Sequence, residues 1–329
     1  MSNQINLGWV GVRGYGQRFW NSIKDSQFCR VTACFHPDMQ VVNEAAKKMG
    51  CLPFTELDDL LNSKDVNALI MTIPNEFHFE YSKRALEAGK HVLVEKPLTD
   101  TLVEAEKLMK LAKDKSLVLM VSHNYRKSGF LVRLKEELER GRIGEPVAAE
   151  FNMGHGGGLK FRSDEWRFYK DKCPGGPLNM LGTHMIDASN YLFGKVIKVN
   201  GIVKNLYAET TAEDMSLIQL VYQSGVVSNI TNLYNSVSTE FINVYGTEGA
   251  LRYSRWPETG LWFQPKDIDC VCAPYETLAY VESNTAVEIF EDFIRAIQDD
   301  ANHLYNIQDA VDTVRIMEEA LRLQNTKKL

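Results

Sequence analysis

The sequence predicts an α/β chain in two parts: a doubly wound parallel sheet with helices on both faces, then an α+β region on an open, mainly antiparallel sheet. Three observations predict this. Through residue 123, short apolar runs alternate with helical patterns, as a parallel sheet buried on both faces requires. The first run ends in a glycine-rich turn ahead of a helix. Beyond residue 123 the runs lengthen and alternate polar with apolar positions, the signature of a sheet with one covered face. The change of pattern divides the chain into 1–123 and 124–329, and 329 residues suit two domains better than one.

In order, Ile5–Val10 reads as the first strand and Gln17–Asp25 as the helix after it. Arg30–Phe35 is the next strand, and Asp38–Met49 a helix stopped by Gly50. Val66–Ile73 is an apolar run ending at Pro74, and Phe77–Ala88 a helix closed by Gly89. His91–Val94 is a strand; Thr101 and Glu104 form a capping box for the helix carrying Leu102, Ala105, Leu108, Met109 and Ala112. Leu117–Val121 ends the first part. A helix over Gly129–Arg140 follows, then strands from Pro146 to Tyr253, including Val196–Lys204, Ser216–Tyr222, Val226–Tyr234 and Phe241–Tyr245. A helix over Asn179–Phe193 interrupts them, and helices near Ala286–Gln298 and Gln308–Leu323 close the chain.

Net charge of −6 argues against a nucleic-acid surface. It leaves room for an anionic ligand, because backbone amides at a helix start hold phosphate without net positive charge. The six cysteines include one close pair, Cys270 and Cys272, with no histidine cluster to complete a metal site. Reduced thiols in a cytoplasmic protein are expected, with no metal. Met1-Ser2-Asn3-Gln4 does not read as a signal peptide, and no apolar run approaches the ~20 residues that span a bilayer.

The first strand runs into Gly8-Trp-Val-Gly11-Val12-Arg13-Gly14-Tyr15-Gly16. A strand, a glycine turn and a helix start together can seat a pyrophosphate. The G-x-G-x-x-G spacing is imperfect, because Arg13 stands at the middle glycine. A positive φ there would cost about 1–3 kcal/mol; alternatively Gly14 supplies the close approach through a shifted turn. At the end of the second strand His36 replaces the usual ribose-binding acid. That loss weakens NAD and removes repulsion against a 2′-phosphate, so NAD or NADP is expected. The other reading has His36 packing on the adenine edge, or neither His36 nor Arg13 reaching the cofactor.

Pro74-Asn75-x-x-His78 follows the third long run, and Glu95-Lys96-Pro97 the next. Further along come Gly141-Arg-Ile-Gly144, Trp166-Arg167, Gly175-Gly176, Gly182-Thr-His184-x-x-Asp187 and Gly246-Thr-Glu-Gly249. In this order they resemble the glucose–fructose oxidoreductase/inositol dehydrogenase/MocA (Gfo/Idh/MocA) family, over nearly the whole chain. The resemblance implies an N-terminal Rossmann domain, a C-terminal substrate domain, and an NAD(P)-dependent oxidoreductase. It implies hydride exchange with a secondary alcohol of a sugar, inositol or related polyol. It places Lys96 beside nicotinamide and substrate, and His184 as acid or base. Pro97 matches the proline that shapes the turn; Asn75 and His78 match the nicotinamide-side loop. The family's aspartate four residues before the histidine is Met180 here, with Asn179 beside it.

The chemistry agrees. An alcohol must lose its hydroxyl proton as the C–H bond breaks, and imidazole titrates near neutrality. A lysine can orient the hydroxyl and stabilise charge on its oxygen. The expected cofactor contacts are Gly11, Val12, Arg13, Gly14, Tyr15, Gly16, His36, Pro74, Asn75, His78, Glu95, Lys96 and Pro97. The expected substrate contacts are Tyr125, Trp166, Arg167, Met180 and Asp187, where Asp187 could instead hold a neighbouring side chain. His155, in a glycine-rich segment, could cover the site. A homodimer or homotetramer through the C-terminal sheet is expected, with no membrane partner. Two other readings remain: a dinucleotide-binding regulator without turnover, and a glycoside hydrolase or epimerase that uses bound NAD transiently.

Overall fold

The computed structural model describes residues 5–267, 273–298 and 305–326. The chain forms two compact units. The first holds the residues up to Asn124 together with Asn284–Val314; the second holds Tyr125–Ser283 and the chain from Arg315.

The first unit carries strands β1 (Leu7–Val10), β2 (Val31–Phe35), β3 (Leu52–Phe54), β4 (Ala68–Met71), β5 (His91–Val94) and β6 (Leu119–Val121). They pair in parallel in the order β3-β2-β1-β4-β5-β6. β1 and β4 are buried at every residue because helices cover both faces. On one face, α1 (Tyr15–Ile23) and α2 (Met39–Met49) pack Phe19, Ile23 and Val42 against Leu7, Trp9 and Ile70. On the other, α3 (Leu57–Asn62), α4 (His78–Glu87) and α5 (Leu102–Asp114) pack Leu60, Leu86 and Leu108 against Val10, Leu69 and Val94. The α5 capping box forms in part: the Thr101 hydroxyl accepts from the Glu104 amide. The strand order reverses between β2 and β4, on either side of β1, which sets a ligand site at the carboxyl ends of these strands.

A division at 123/124 leaves out a return of the chain. α8 (Thr285–Ile297) buries Phe290, Phe293 and Ile294 in the same layer as Trp9 and Phe19. The start of α9 (Ile307–Thr326) adds Ala310, Val311 and Val314 to the opposite layer. Apolar helix faces pack where apolar surface is exposed, and sequence order does not restrict them to the nearer unit.

The second unit is built on an eight-stranded sheet: β7 (Pro146–Gly154), β8 (Val196–Lys204), β9 (Met215–Tyr222), β10 (Val227–Leu233), β11 (Thr239–Gly246), β12 (Gly249–Ser254), β13 (Gly260–Pro265) and β14 (Glu276–Thr277). The order is β14-β13-β12-β11-β7-β10-β9-β8, antiparallel except where β7 and β10 run parallel. One face is covered by α6 (Gly129–Glu139), α7 (Thr183–Phe193) and Ile316, Met317 and Ala320 of α9. The other face alternates with it along each strand: β10 buries Ser228, Ile230 and Asn232 and leaves Asn229 exposed. The sheet extends past Tyr253 into β13 and β14. Cys270 and Cys272 lie outside the described residues. Cys29, Cys34 and Cys51 are free thiols. Among the described residues no helix is long and apolar enough to cross a membrane, and no cluster of three or more histidine, cysteine or acidic side chains could hold a metal.

Candidate functional site

The turn between β1 and α1 is shaped by missing side chains. A Cβ on Gly11 would lie 2.4 Å from the Thr72 carbonyl, and one on Gly16 would lie 1.8 Å from the Gly11 carbonyl. The Thr72 hydroxyl closes this contact by donating to the Gly11 carbonyl at 2.6 Å. Helix and strand therefore meet at a distance only glycine permits. Gly14 does something different. It caps α1 at φ 55°, ψ −115°, and a Cβ there would meet nothing within 4 Å among the described residues. The positive φ values of the turn fall on Gly11 and Gly14, so Arg13 is not strained. Val12 is buried, while Arg13, Gly14 and Tyr15 are exposed, and no side chain caps the helix. The turn is thus closed against the strand and open outward, a cradle that fits a pyrophosphate on the amides of the first helical turn.

At the end of β2, His36 Nδ1 accepts from the Asp38 amide at 3.0 Å. Desolvation holds the His36 pKa below the usual imidazole value, and the nearby Arg13 charge adds to the effect. Asp38 is committed elsewhere: one carboxylate oxygen accepts from the Gln40 and Val41 amides, capping α2. Asp38 stays within electrostatic reach of Arg13 and His36, so all three side chains flank this edge of the turn.

The loops after β4 and β5 are tied together. His78 is 1% exposed, with Nδ1 2.7 Å from the Pro97 carbonyl and Nε2 2.9 Å from the Ile73 carbonyl. Both ring nitrogens face backbone, so His78 clamps the two loops together. Asn75 is also buried and donates to Asp100 at 2.8 Å. Pro74 opens the short helical turn Asn75–Phe77, and the Lys96–Pro97 bond is cis. Glu95 and Lys96, half-buried, follow β5. Desolvation pushes the Glu95 pKa up, against the opposing pull of the Lys96 charge.

In the second unit, a widened turn over Leu178–Gly182 precedes α7, so the helix read from Asn179 starts at Thr183. A widened turn changes which side chains share a helical face. His184 is the second residue of α7, and the Tyr125 ring lies 5.2 Å from its imidazole. Met180 is half-buried within the widened turn, and Asn179 beside it is buried. Asp187 has no exposed surface and takes a bidentate pair from Arg126, at 2.9 Å from Nε and 2.6 Å from Nη2. Both Asp187 carboxylate oxygens are engaged in this pair, which matches the second of the two roles read for it, holding a neighbouring side chain. Arg126 also lies over the Tyr191 ring, at 5.4 Å. Arg167 stacks on Trp166 at 4.4 Å in a short turn, both half-buried. His155 turns back on its own segment: Nδ1 accepts from the Gly157 amide at 2.9 Å and the ring packs by Tyr234.

Sequence reasoning missed Glu240. The Tyr125 and Tyr253 hydroxyls donate to its carboxylate, and Arg255 pairs with it. The signal was available: Glu240 alternates with Ile242 and Val244 on the buried face of β11, where a charge is out of place.

Two family models match successive segments of the chain. Residues 5–123 match the family model of an oxidoreductase family with an NAD-binding Rossmann fold, and residues 131–252 match that of the GFO/IDH/MocA C-terminal domain. The uncharacterized oxidoreductase YdgJ of Escherichia coli K12 is 33% identical over 277 residues, 78% of this chain and 74% of that protein. The scyllo-inositol 2-dehydrogenase (NADP(+)) IolW of Bacillus subtilis 168 is 25% identical over 316 residues, covering 89% and 83%. Three further curated oxidoreductases match over 47%, 37% and 45% of their length, so the match spans less than half of them. A levoglucosan dehydrogenase solved with NADH superposes with a TM-score of 0.86 at 20% identity, over 98% of this chain and 97% of that one.

Proposed function

The chain belongs to the GFO/IDH/MocA oxidoreductase family, and on that premise we propose that it is an NAD(P)-dependent dehydrogenase acting on a secondary alcohol of a sugar, inositol or related polyol. The observation that carries the reading is the β1–α1 turn, sealed by Gly11 and Gly16 on the strand side and open over Gly14. Relatives named for scyllo-inositol and levoglucosan support the substrate class. In this reading residues 1–123 hold the dinucleotide; 124–329 hold the substrate and pair subunits into a homodimer or homotetramer through the sheet. The cytoplasm is the proposed compartment, in keeping with the free thiols of Cys29, Cys34 and Cys51.

Gly11, Val12, Gly14, Tyr15 and Gly16 offer backbone to the pyrophosphate, and Arg13 faces its charge. His36 borders the adenosine ribose in place of the usual acid. Pro74, Asn75, Glu95, Lys96 and Pro97 shape the nicotinamide side, with His78 bracing it from beneath. The nicotinamide, when bound, exchanges the hydride. His184 takes the hydroxyl proton during oxidation and returns it during reduction. Lys96 donates to the alcohol oxygen and stabilises its developing charge. Tyr125, Trp166, Arg167 and Met180 contact substrate, and Asp187 acts by fixing Arg126.

Met180, where a carboxylate is expected four residues before His184, favours one rival: a dinucleotide-binding regulator without turnover. Mass spectrometry of the dinucleotide that co-purifies, followed by a sugar and polyol panel read by nicotinamide absorbance, tests both. The enzyme reading expects NAD or NADP and absorbance change with at least one secondary alcohol. A bound dinucleotide with no turnover across the panel would support the regulator.

A further inference from the structure

Glu240 is 3% exposed on the core-facing side of β11. A buried carboxylate is unfavourable unless a charge and hydrogen bonds offset its lost hydration. Three donors converge on this one. Tyr125 Oη donates to Oε1, Tyr253 Oη donates to the same oxygen at 3.3 Å, and Arg255 Nη1 donates to Oε2 at 3.3 Å. Burial first, and the Glu240 charge second, drive the Tyr125 phenol pKa well above its ordinary value, so it remains a donor.

The two phenols anchor one aromatic group. The Tyr253 ring stacks on Phe130 at 3.6 Å, and Phe130 stands edge-on to Tyr125 at 5.8 Å. Tyr125 in turn lies 5.2 Å from the His184 imidazole, at 37°. Met180, four residues before His184, brings no carboxylate, and its thioether is a weak acceptor.

We propose that Glu240 is a positioning residue for His184: by pinning the Tyr125 and Tyr253 hydroxyls it fixes the Tyr125 ring, and that ring sets the orientation of the imidazole. Its value for turnover rests on the reading of His184 as the acid–base group. Glu240 touches neither substrate nor cofactor in this account; its effect passes through Tyr125.

The test uses the full chain with Glu240→Leu, Glu240→Gln, Tyr125→Phe and the Glu240→Leu/Tyr125→Phe double variant. The first readout is the His184 ring resonances by NMR, assigned against His184→Ala, which needs no substrate. The second is kcat and KM on an alcohol from the panel. Glu240→Leu is expected to shift the His184 resonances and lower kcat roughly ten- to hundredfold, the scale of an ångström of misplacement. KM changes less than kcat, because the loss falls mainly on the reacting geometry. Glu240→Gln, whose amide oxygen accepts the same phenol bonds, recovers most of the activity. In the Tyr125→Phe background, Glu240→Leu costs clearly less than it does in the wild-type chain, since only the route through Tyr253 and Phe130 is left to lose.

Unmoved His184 resonances in folded Glu240→Leu overturn the proposal, as does an undiminished second loss in the double variant. Should Glu240→Leu fail to fold, Tyr125→Phe decides, because it too must move those resonances. If His184→Ala turns over like wild type, the acid–base reading fails while a resonance shift still supports positioning. If His184→Ala is inactive and the Glu240 variants change nothing, positioning alone fails.

Discussion

In the β1–α1 turn of the first unit, shape comes from side chains that are absent. Around His184 in the second, it comes from side chains far apart in sequence: Tyr125 and Glu240 are separated by 115 positions. The first arrangement is local and backbone-made, so one methyl group at Gly16 collides with a carbonyl. The second is assembled by sheet register and buried ion pairs, so its failure modes are lost partners. A backbone cradle suits a ligand fragment shared by many enzymes, whereas a side-chain assembly can change with the substrate.

Four substitutions or conditions sharpen this contrast, beginning with the largest effect. Asp187→Ala leaves the Arg126 guanidinium, itself little exposed, without its bidentate carboxylate. Breaking a buried pair from one side costs about 3–5 kcal/mol, so calorimetry should show a Tm lower by roughly 10 °C. A Tm within error of wild type would mean the pair is not structural.

Gly16→Ala comes next. Its Cβ would sit 1.8 Å from the Gly11 carbonyl, and overpacking of this kind costs about 1–3 kcal/mol or more. Dinucleotide titration should show affinity down by roughly a hundredfold, with the second unit still folded by near-UV circular dichroism. Gly14→Ala is the milder partner of that experiment. No atom of the described residues crowds its Cβ, so the cost is backbone strain, about 1–3 kcal/mol. Equal losses at both positions would contradict the split between close packing at Gly16 and conformation at Gly14.

The smallest effect is on stability against pH. His36, His91 and His155 each use Nδ1 to accept a backbone amide proton, from Asp38, Val118 and Gly157. An imidazolium cannot accept, and desolvation lowers the pKa of all three. The unfolded chain therefore takes up protons near its ordinary value of about 6.5 that the native state refuses, and stability falls as pH drops through that value. Above about pH 7 these residues should leave Tm flat. A His91→Asn variant, whose side-chain oxygen can accept the Val118 amide, is expected to lose less Tm on acidification than wild type; an identical decline would remove His91 from the account.

Much of the first unit was legible because its signals are local. Apolar runs, the Gly11–Gly16 turn and the Thr101 cap each declare themselves within a few residues. β3 and α3 were missed, since Leu52–Phe54 is three residues long and its Leu52 is exposed. In the second unit the antiparallel strands were readable from alternation, but not the parallel pairing of β7 with β10, which depends on partners distant in sequence. The widened turn before His184 left no trace in the spacing of apolar residues. Glu240 was readable as an anomaly of register; that its partner is Tyr125 was not.

The central claim is that dinucleotide binding belongs to the first unit and proton transfer to His184. It is tested most directly by following nicotinamide fluorescence and turnover in wild type and His184→Ala. The account expects the dinucleotide Kd to change by less than about twofold while kcat on the accepted alcohol falls by roughly 10²–10⁴-fold. Turnover by His184→Ala equal to wild type, with the same Kd, would contradict it.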